Sequence, residues 1–216
     1  MLLRRCTEIS RAGLLLLIAT TFAGCAGGSA GVTPTRQVAD SVPPEGEEQA
    51  VPAAVRMMFE RAAALMTAGD YVEAEVRFKS FLLQYPDYPG AHVNLAIIHA
   101  AQQDDAAARA AIDAALALNP DHPSALNLLG QQLRRNGDFS GAEAAYLKAV
   151  TVSPGYALAH YNLGVLYELY LQRLDAALEH FEAYQALVGE DKQVEKWIAD
   201  LRRRLAAAQR TANVAD

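Results

Sequence analysis

The chain has 216 residues, a formal net charge of −6, 52% hydrophobic residues and 7% aromatic residues. The acidic balance argues against a nucleic-acid binder, which needs a basic face to displace counterions, and against electrostatic attachment to anionic lipid headgroups. Alanine and leucine dominate the apolar fraction and β-branched runs are few, which favours helix. The two cysteines, Cys6 and Cys25, exclude a disulfide framework.

Residues 1–24 read as a secretory signal peptide. Arg4, Arg5 and Arg11 supply a positive start, and AGLLLLIATTFA supplies an apolar stretch too short to span a bilayer. The chain without this segment carries −8, because it holds three arginines against Glu8. The stretch ends in Phe22-Ala23-Gly24-Cys25, which resembles the lipobox of bacterial lipoproteins. That resemblance implies cleavage before Cys25 and its acylation (palmitate among the chains), with Sec export to the periplasmic side of the envelope. Ala26, rather than aspartate, after the cysteine resembles lipoproteins sent on to the outer membrane. Two or three acyl chains anchor stably where a single chain is marginal.

Residues 25–54 are expected to form the lipidated terminus and a flexible linker. The sequence AGGSAGVTPTRQVADSVPPEGEEQ is rich in Gly, Pro, Ser and acid and cannot bury a core, so it is expected to be a disordered tether. At about 5–6 Å × √n it holds the folded part roughly 25–30 Å from the membrane. Gly27-Gly28-Ser29-Ala30-Gly31 fits the G-x-S-x-G pattern by composition, but a glycine linker lacks the strand-to-helix turn that such a nucleophile requires.

A fixed period then takes over. Pro86, Pro120 and Pro154 are spaced 34 residues apart, as are Asp70, Asp104 and Asp138, and Ala74, Ala108 and Ala142. Each proline closes a helix-like run. A constant step of this length is the signature of a repeat array. Gly69-Asp70 and Gly137-Asp138 mark turns, Asp104-Asp105 cap a helix, and Asp70 with Glu73 reads as a capping box. Small residues at 96, 130 and 164, facing 74, 108 and 142, permit close helix crossings.

The pattern resembles the tetratricopeptide repeat (TPR). Leu126, Leu129, Gly130, Leu133, Ala142, Tyr146, Ala149 and Pro154 occupy the signature places in order. Leu95, Ala96, Ala108, Ile112, Ala115 and Pro120 do so one repeat earlier. The first repeat keeps Ala62, Leu65, Ala74, Phe78 and Pro86, with Arg61 and Phe81 replacing an expected apolar and a small residue. The resemblance implies an all-α fold: a right-handed superhelical TPR solenoid over 55–190, with repeats near 55–88, 89–122, 123–156 and 157–190. The fourth repeat opens with Tyr161-Asn162-Leu163-Gly164, then holds one extra residue before Ala177 and Phe181. It has Tyr184 where alanine is usual and lacks the closing proline. A lengthened first helix or turn around YELYLQRLD is expected. Residues 191–209 predict an amphipathic capping helix with Val194, Trp197, Ile198, Leu201 and Leu205 on one face, and 210–216 a frayed tail.

No histidine among His92, His99, His122, His160 and His180 has a tight metal-ligand spacing, and His92, His99 and His160 fall at packing places of the first helices. No catalytic residue, cofactor or metal is expected, and the chain reads as no enzyme; a lipoprotein hydrolase using the histidines is the alternative of another class. The resemblance implies binding of a protein or peptide on the concave face. Matched by position, the groove candidates are Phe59, Val93, Asn94, Ile97, Asn127, Gln131, Arg134, Tyr161, Asn162 and Val165, with Glu60 beside them. Carboxamides at 94, 127 and 162 could clamp an extended backbone, since each offers donor and acceptor; Glu60 and Leu128 break that ladder. The apolar members suit apolar side chains of a partner, and Arg134 an acidic group. The functional expectation is a lipid-anchored adaptor or scaffold for assembly of an envelope complex. A pilotin-like chaperone for type IV pilus or secretin assembly is one version. Docking platforms for an envelope protease, a peptidoglycan enzyme or a TonB- or Tol-like system are the others.

Overall fold

The computed structural model describes residues 52–215, and among them every regular element is helical. The signal peptide, Cys25 and nearly all of the tether lie outside the described residues. Four antiparallel helix pairs follow one another: α1 (Ala53–Thr67) with α2 (Tyr71–Gln84), α3 (Pro89–Ala101) with α4 (Asp105–Leu118), α5 (Pro123–Arg135) with α6 (Phe139–Val152), and α7 (Ala157–Leu166) with α8 (Leu174–Val188). A ninth helix, α9 (Lys192–Ala215), closes the array. Each first helix touches the next first helix, α1 to α3, α3 to α5 and α5 to α7, whereas the second helices make no comparable contacts with one another. The first helices therefore line the inner side of the stack. This is the repeat array that the period predicted and the TPR solenoid that the resemblance implied.

Local chemistry sets the ends of these helices. The carboxylates of Asp70, Asp104 and Asp138 accept from the backbone N–H three residues on, at 3.2, 2.9 and 2.8 Å. The capping box at Asp70 is only half made, because Glu73 accepts from Arg77 instead. Pro89 and Pro123 occupy the first turns of α3 and α5, where a missing N–H costs nothing. The turn before each second helix needs one left-handed residue. Gly69 and Gly137 supply it at φ 82°, and Gln103 and Gln172 take the same conformation at φ 64° and 54°.

Within each pair a small residue of the first helix meets a large one of the second. A Cβ on Gly130 would stand 2.5 Å from the Tyr146 ring, and one on Gly164 would stand 2.6 Å from the Phe181 ring. Ala96, lined up with these glycines, shares its pair with the smaller Ile112, and all of these residues but the glycines belong to the buried apolar core. The closing position is alanine in the inner repeats (Ala115, Ala149) and aromatic at both ends. Phe81 is 1% exposed and packs on Phe59, Tyr85 and Tyr88 with ring centroids 5.8, 5.0 and 5.1 Å away. Tyr184 lies against Tyr161 at 5.3 Å and donates its hydroxyl to Asp191 at 3.2 Å.

The extra residue of the fourth repeat is absorbed as a π turn, Tyr167–Leu171, continuous with α7 and followed by left-handed Gln172. The chain swells locally, and Ala177 and Phe181 regain their places in the core. Helix α9 docks Val194, Ile198 and Leu201 against α8, with Trp197 5.4 Å from Phe181. Arg202–Glu182 and Arg204–Glu168 pairs at 2.6 and 2.9 Å flank this contact. The helix does not fray at residue 210: it continues to Ala215, carried by the alanines after Leu205 rather than by an apolar face. At the other end α1 starts at Ala53, two residues inside the expected linker. No helix among the described residues is long and apolar enough to cross a membrane.

Candidate protein-interaction groove

On the inner side, residues three or four apart on each first helix form a row. In α5 the row is polar: Ser124, Asn127, Gln131 and Arg134. In α3 it carries Val93 and Ile97, and in α7 Tyr161 and Val165. The groove is thus apolar, then polar, then apolar along the stack.

Five of the groove candidates are buried rather than presented. Phe59 is 4% exposed, covered by Phe78 and Phe81, and Val93 is 1% exposed within the core. Register places both at the groove, but both are packing residues: Phe78 and Phe81 of the same helix pair close over Phe59, and Val93 belongs to the buried apolar core. Asn94, Asn127 and Asn162 are likewise 1, 2 and 6% exposed. Asn162 donates its amide to the Asn127 carbonyl oxygen at 2.8 Å, so these two satisfy each other between α5 and α7. The Asn94 side-chain oxygen is buried without a partner. The asparagines form a buried seam between first helices instead of a ladder open to a ligand. Ile97, Gln131, Arg134, Tyr161 and Val165 are half-buried and remain accessible, while Glu60 is exposed at the end of the array.

Arg134 has an unusual setting. Its guanidinium carbon lies 5.6 Å over the ring of Tyr170, which itself packs on Phe139 with centroids 4.8 Å apart. Beside it is the Tyr146 hydroxyl, fully buried; burial pushes that phenol up to about 12, and the nearby guanidinium works in the opposite direction. Nε of Arg134 and the Tyr146 hydroxyl are both buried without a hydrogen-bond partner. The Ser124 hydroxyl is in the same condition. Ser124 and Tyr170 were not anticipated. Ser124 could have been found by stepping back three residues from Asn127, whereas Tyr170 depends on the shape of the π turn.

The histidines are structural where their bonds are visible. Nε2 of His160 faces the Pro154 carbonyl at 3.1 Å; a carbonyl only accepts, so this nitrogen carries the proton. Its Nδ1 then accepts from Nδ1–H of His180 at 3.0 Å. His92, two repeats earlier in the same register, lies near the Pro86 backbone, which partly offsets the effect of its burial. His122 accepts from the Ala125 N–H at 3.4 Å and caps α5. Burial pushes His92 and His180 below the usual imidazole value, and for His180 the neighbouring His160 adds to the shift. Among the described residues no group of three or more His, Cys, Asp or Glu is placed to hold a metal ion. A depression of about 410 Å³ between α1 and α2 is lined by Arg61, Ala64, Leu65, Glu73 and Arg77, away from the groove. Arg61 opens it by standing where the later repeats have Leu95, Leu129 and Leu163.

Comparison with known proteins agrees with this architecture. Residues 65–131 match the family model described as "Tetratricopeptide repeat", and residues 130–169 match one described as "TPR repeat". The chain therefore carries tetratricopeptide repeats, a fold that serves as a protein-interaction scaffold. No curated protein matches the sequence. Among solved structures, PilF of Pseudomonas aeruginosa is similar with a TM-score of 0.64 and 23% identity, over 71% of this chain and 70% of that one. MamA of Desulfovibrio magneticus RS-1 is similar with a TM-score of 0.57 and 20% identity, over 74% and 90%. An O-GlcNAc transferase of Thermobaculum terrenum aligns with a TM-score of 0.56 and 22% identity, over 62% of this chain and 26% of that one. At these identities the likeness concerns the fold.

Proposed function

We propose that the chain is a lipid-anchored adaptor of the bacterial envelope, held on the periplasmic side at the outer membrane through Cys25. There it gathers a partner protein by a segment lying along its first helices, without catalysis of its own. The observation that carries this reading is the accessible row across three consecutive first helices: Ile97 on α3, Gln131 and Arg134 on α5, Tyr161 and Val165 on α7. Apolar side chains of the partner would rest on Ile97, Tyr161 and Val165, and its polar groups on the α5 row between them. The buried Asn127–Asn162 pair fixes the spacing of α5 and α7 and so shapes the groove rather than holding the ligand. The N-terminal sequence supports the anchor: a charged start, a short apolar stretch and a small-residue approach to a cysteine.

A photo-crosslinking residue placed at Gln131 in cells is expected to capture one envelope protein, whereas the same residue at Val76, on the outward side of α2, captures none. Equal capture from both positions would overturn the groove reading. The envelope system served is then identified by the captured protein. Separately, Cys25→Ser is expected to move the protein from the membrane fraction to the soluble fraction; a mutant that stays with membranes would refute the anchor.

A further inference from the structure

Between Tyr85 and Glu190 the chain holds five basic residues against twelve acidic ones. With such a surplus of carboxylates every cation has candidates nearby, and four of the five are paired: Arg109 with Asp113 at 2.9 Å, Arg135 with Asp105 at 2.8 Å, Lys148 with Asp121 at 3.0 Å and Arg173 with Glu143 at 2.6 Å. Arg134, on the inner side of the stack, has no carboxylate. The acids on the neighbouring elements are committed elsewhere. Glu143 also accepts from the Tyr167 hydroxyl, and Glu168, which stands 34 residues after Arg134, is bound by Arg204 of α9 at 2.9 Å.

We propose that the inserted residue of the fourth repeat builds a recognition point for a single carboxylate, with Arg134 as the binding cation and Tyr170 as its platform. This rests on the groove reading above and names what the partner segment must carry there. The π turn is what presents Tyr170: one added residue turns the chain by about 100° relative to an unbroken helix and sets this ring under the guanidinium. Stacking holds the planar fork in one orientation, so little freedom is lost when it binds. On its inner side the fork lies beside the fully buried Tyr146 hydroxyl, which has no hydrogen-bond partner and offers the guanidinium no charge compensation. A half-desolvated guanidinium without a counter-ion is unfavourable, and a carboxylate relieves this with two parallel N–H···O bonds. A phosphate suits the place less well, because a dianion would meet one cation within a surplus of acids. Two sources offer the same chemistry: an Asp or Glu side chain, or the C-terminus of a chain.

The test is selection on the purified full chain from two libraries of random twelve-residue peptides, one blocked at its C-terminus and one ending in a free carboxylate. Wild-type selections are expected to share apolar residues and one acidic group at a fixed place, in the blocked library if the source is a side chain, in the free one if it is a terminus. Selections on Arg134→Gln should keep the apolar pattern and lose the acid. The best wild-type peptide should bind Arg134→Gln about tenfold or more weakly, Tyr170→Ala several-fold more weakly, and Arg135→Gln as well as wild type. Unchanged Trp197 fluorescence would show that the variants remain folded. Equal acid content in wild-type and Arg134→Gln selections would overturn this proposal alone, leaving the groove in place. Failure of both libraries to yield any binder would overturn the groove reading and this proposal together.

Discussion

Gly164→Ala tests the close crossing of α7 and α8 most directly. In an unstrained helix the change stabilises by about 1 kcal/mol, since alanine is the better helix former. Here the new methyl would stand 2.6 Å from one carbon of the Phe181 ring and 2.7 Å from a second. Ordinary carbon contacts lie near 3.5–4.0 Å, so ring or helix must yield by roughly 1 Å. The ring has little room: it is 1% exposed, with Trp197 5.4 Å and Tyr161 6.1 Å away. Overpacking of a tight core costs about 1–3 kcal/mol, which leaves a net loss of up to about 2 kcal/mol, at about 2–4 °C in Tm per kcal/mol for a chain of this size. Urea unfolding followed by the fluorescence of Trp197 reads the change at the contact itself. Adding Phe181→Leu should remove most of the loss, because the smaller side chain vacates the methyl's place. A stabilised Gly164→Ala protein would refute the close-crossing argument.

Acidification should weaken the fold through His92 and His180. Burial disfavours their charged forms, so the unfolded chain binds more protons just below the usual value of 6.5. Stability is therefore full above about pH 6.5 and falls as the pH drops through that value towards the lower folded-state values. Urea midpoints measured from pH 7.5 to 5.5 should decline, less steeply in His180→Gln, and a midpoint that rises towards acid would contradict this sign. Leu201→Ala, at a fully buried site on α9, should cost about 2–4 kcal/mol and shift the Trp197 emission; an unchanged midpoint would mean that the last helix is not docked.

The scaffold was legible because a period constrains many positions at once: the aspartate caps, the crossing glycines and the closing prolines all recur at a step of 34. The groove was only half legible. Register predicts which way a side chain leaves its helix, but not whether a neighbour covers it, and Phe78 and Phe81 cover Phe59. The asparagines were visible as a pattern, yet their mutual bond between residues 127 and 162 belongs to the packing of two helices. The extra residue near Tyr167 could be counted from the spacing. That it would be taken up inside a helix, and would carry Tyr170 to Arg134, depends on hydrogen-bond geometry that spacing does not encode. The His160–His180 bond was hidden for a similar reason: only the antiparallel return of α8 brings those rings together.

The aromatic residues at the two closing positions, Phe81 and Tyr184, carry a consequence for how such a chain can grow. The inner repeats present Ala115 and Ala149 at that place, so their junctions are nearly interchangeable, while each end is sealed by a ring that fits only its own surroundings. The architecture is that of two fixed bookends around an extensible shelf. A duplicate of residues 89–122 inserted before Pro123 would join alanine to alanine on both sides, lengthen the binding row by one helix and disturb neither seal.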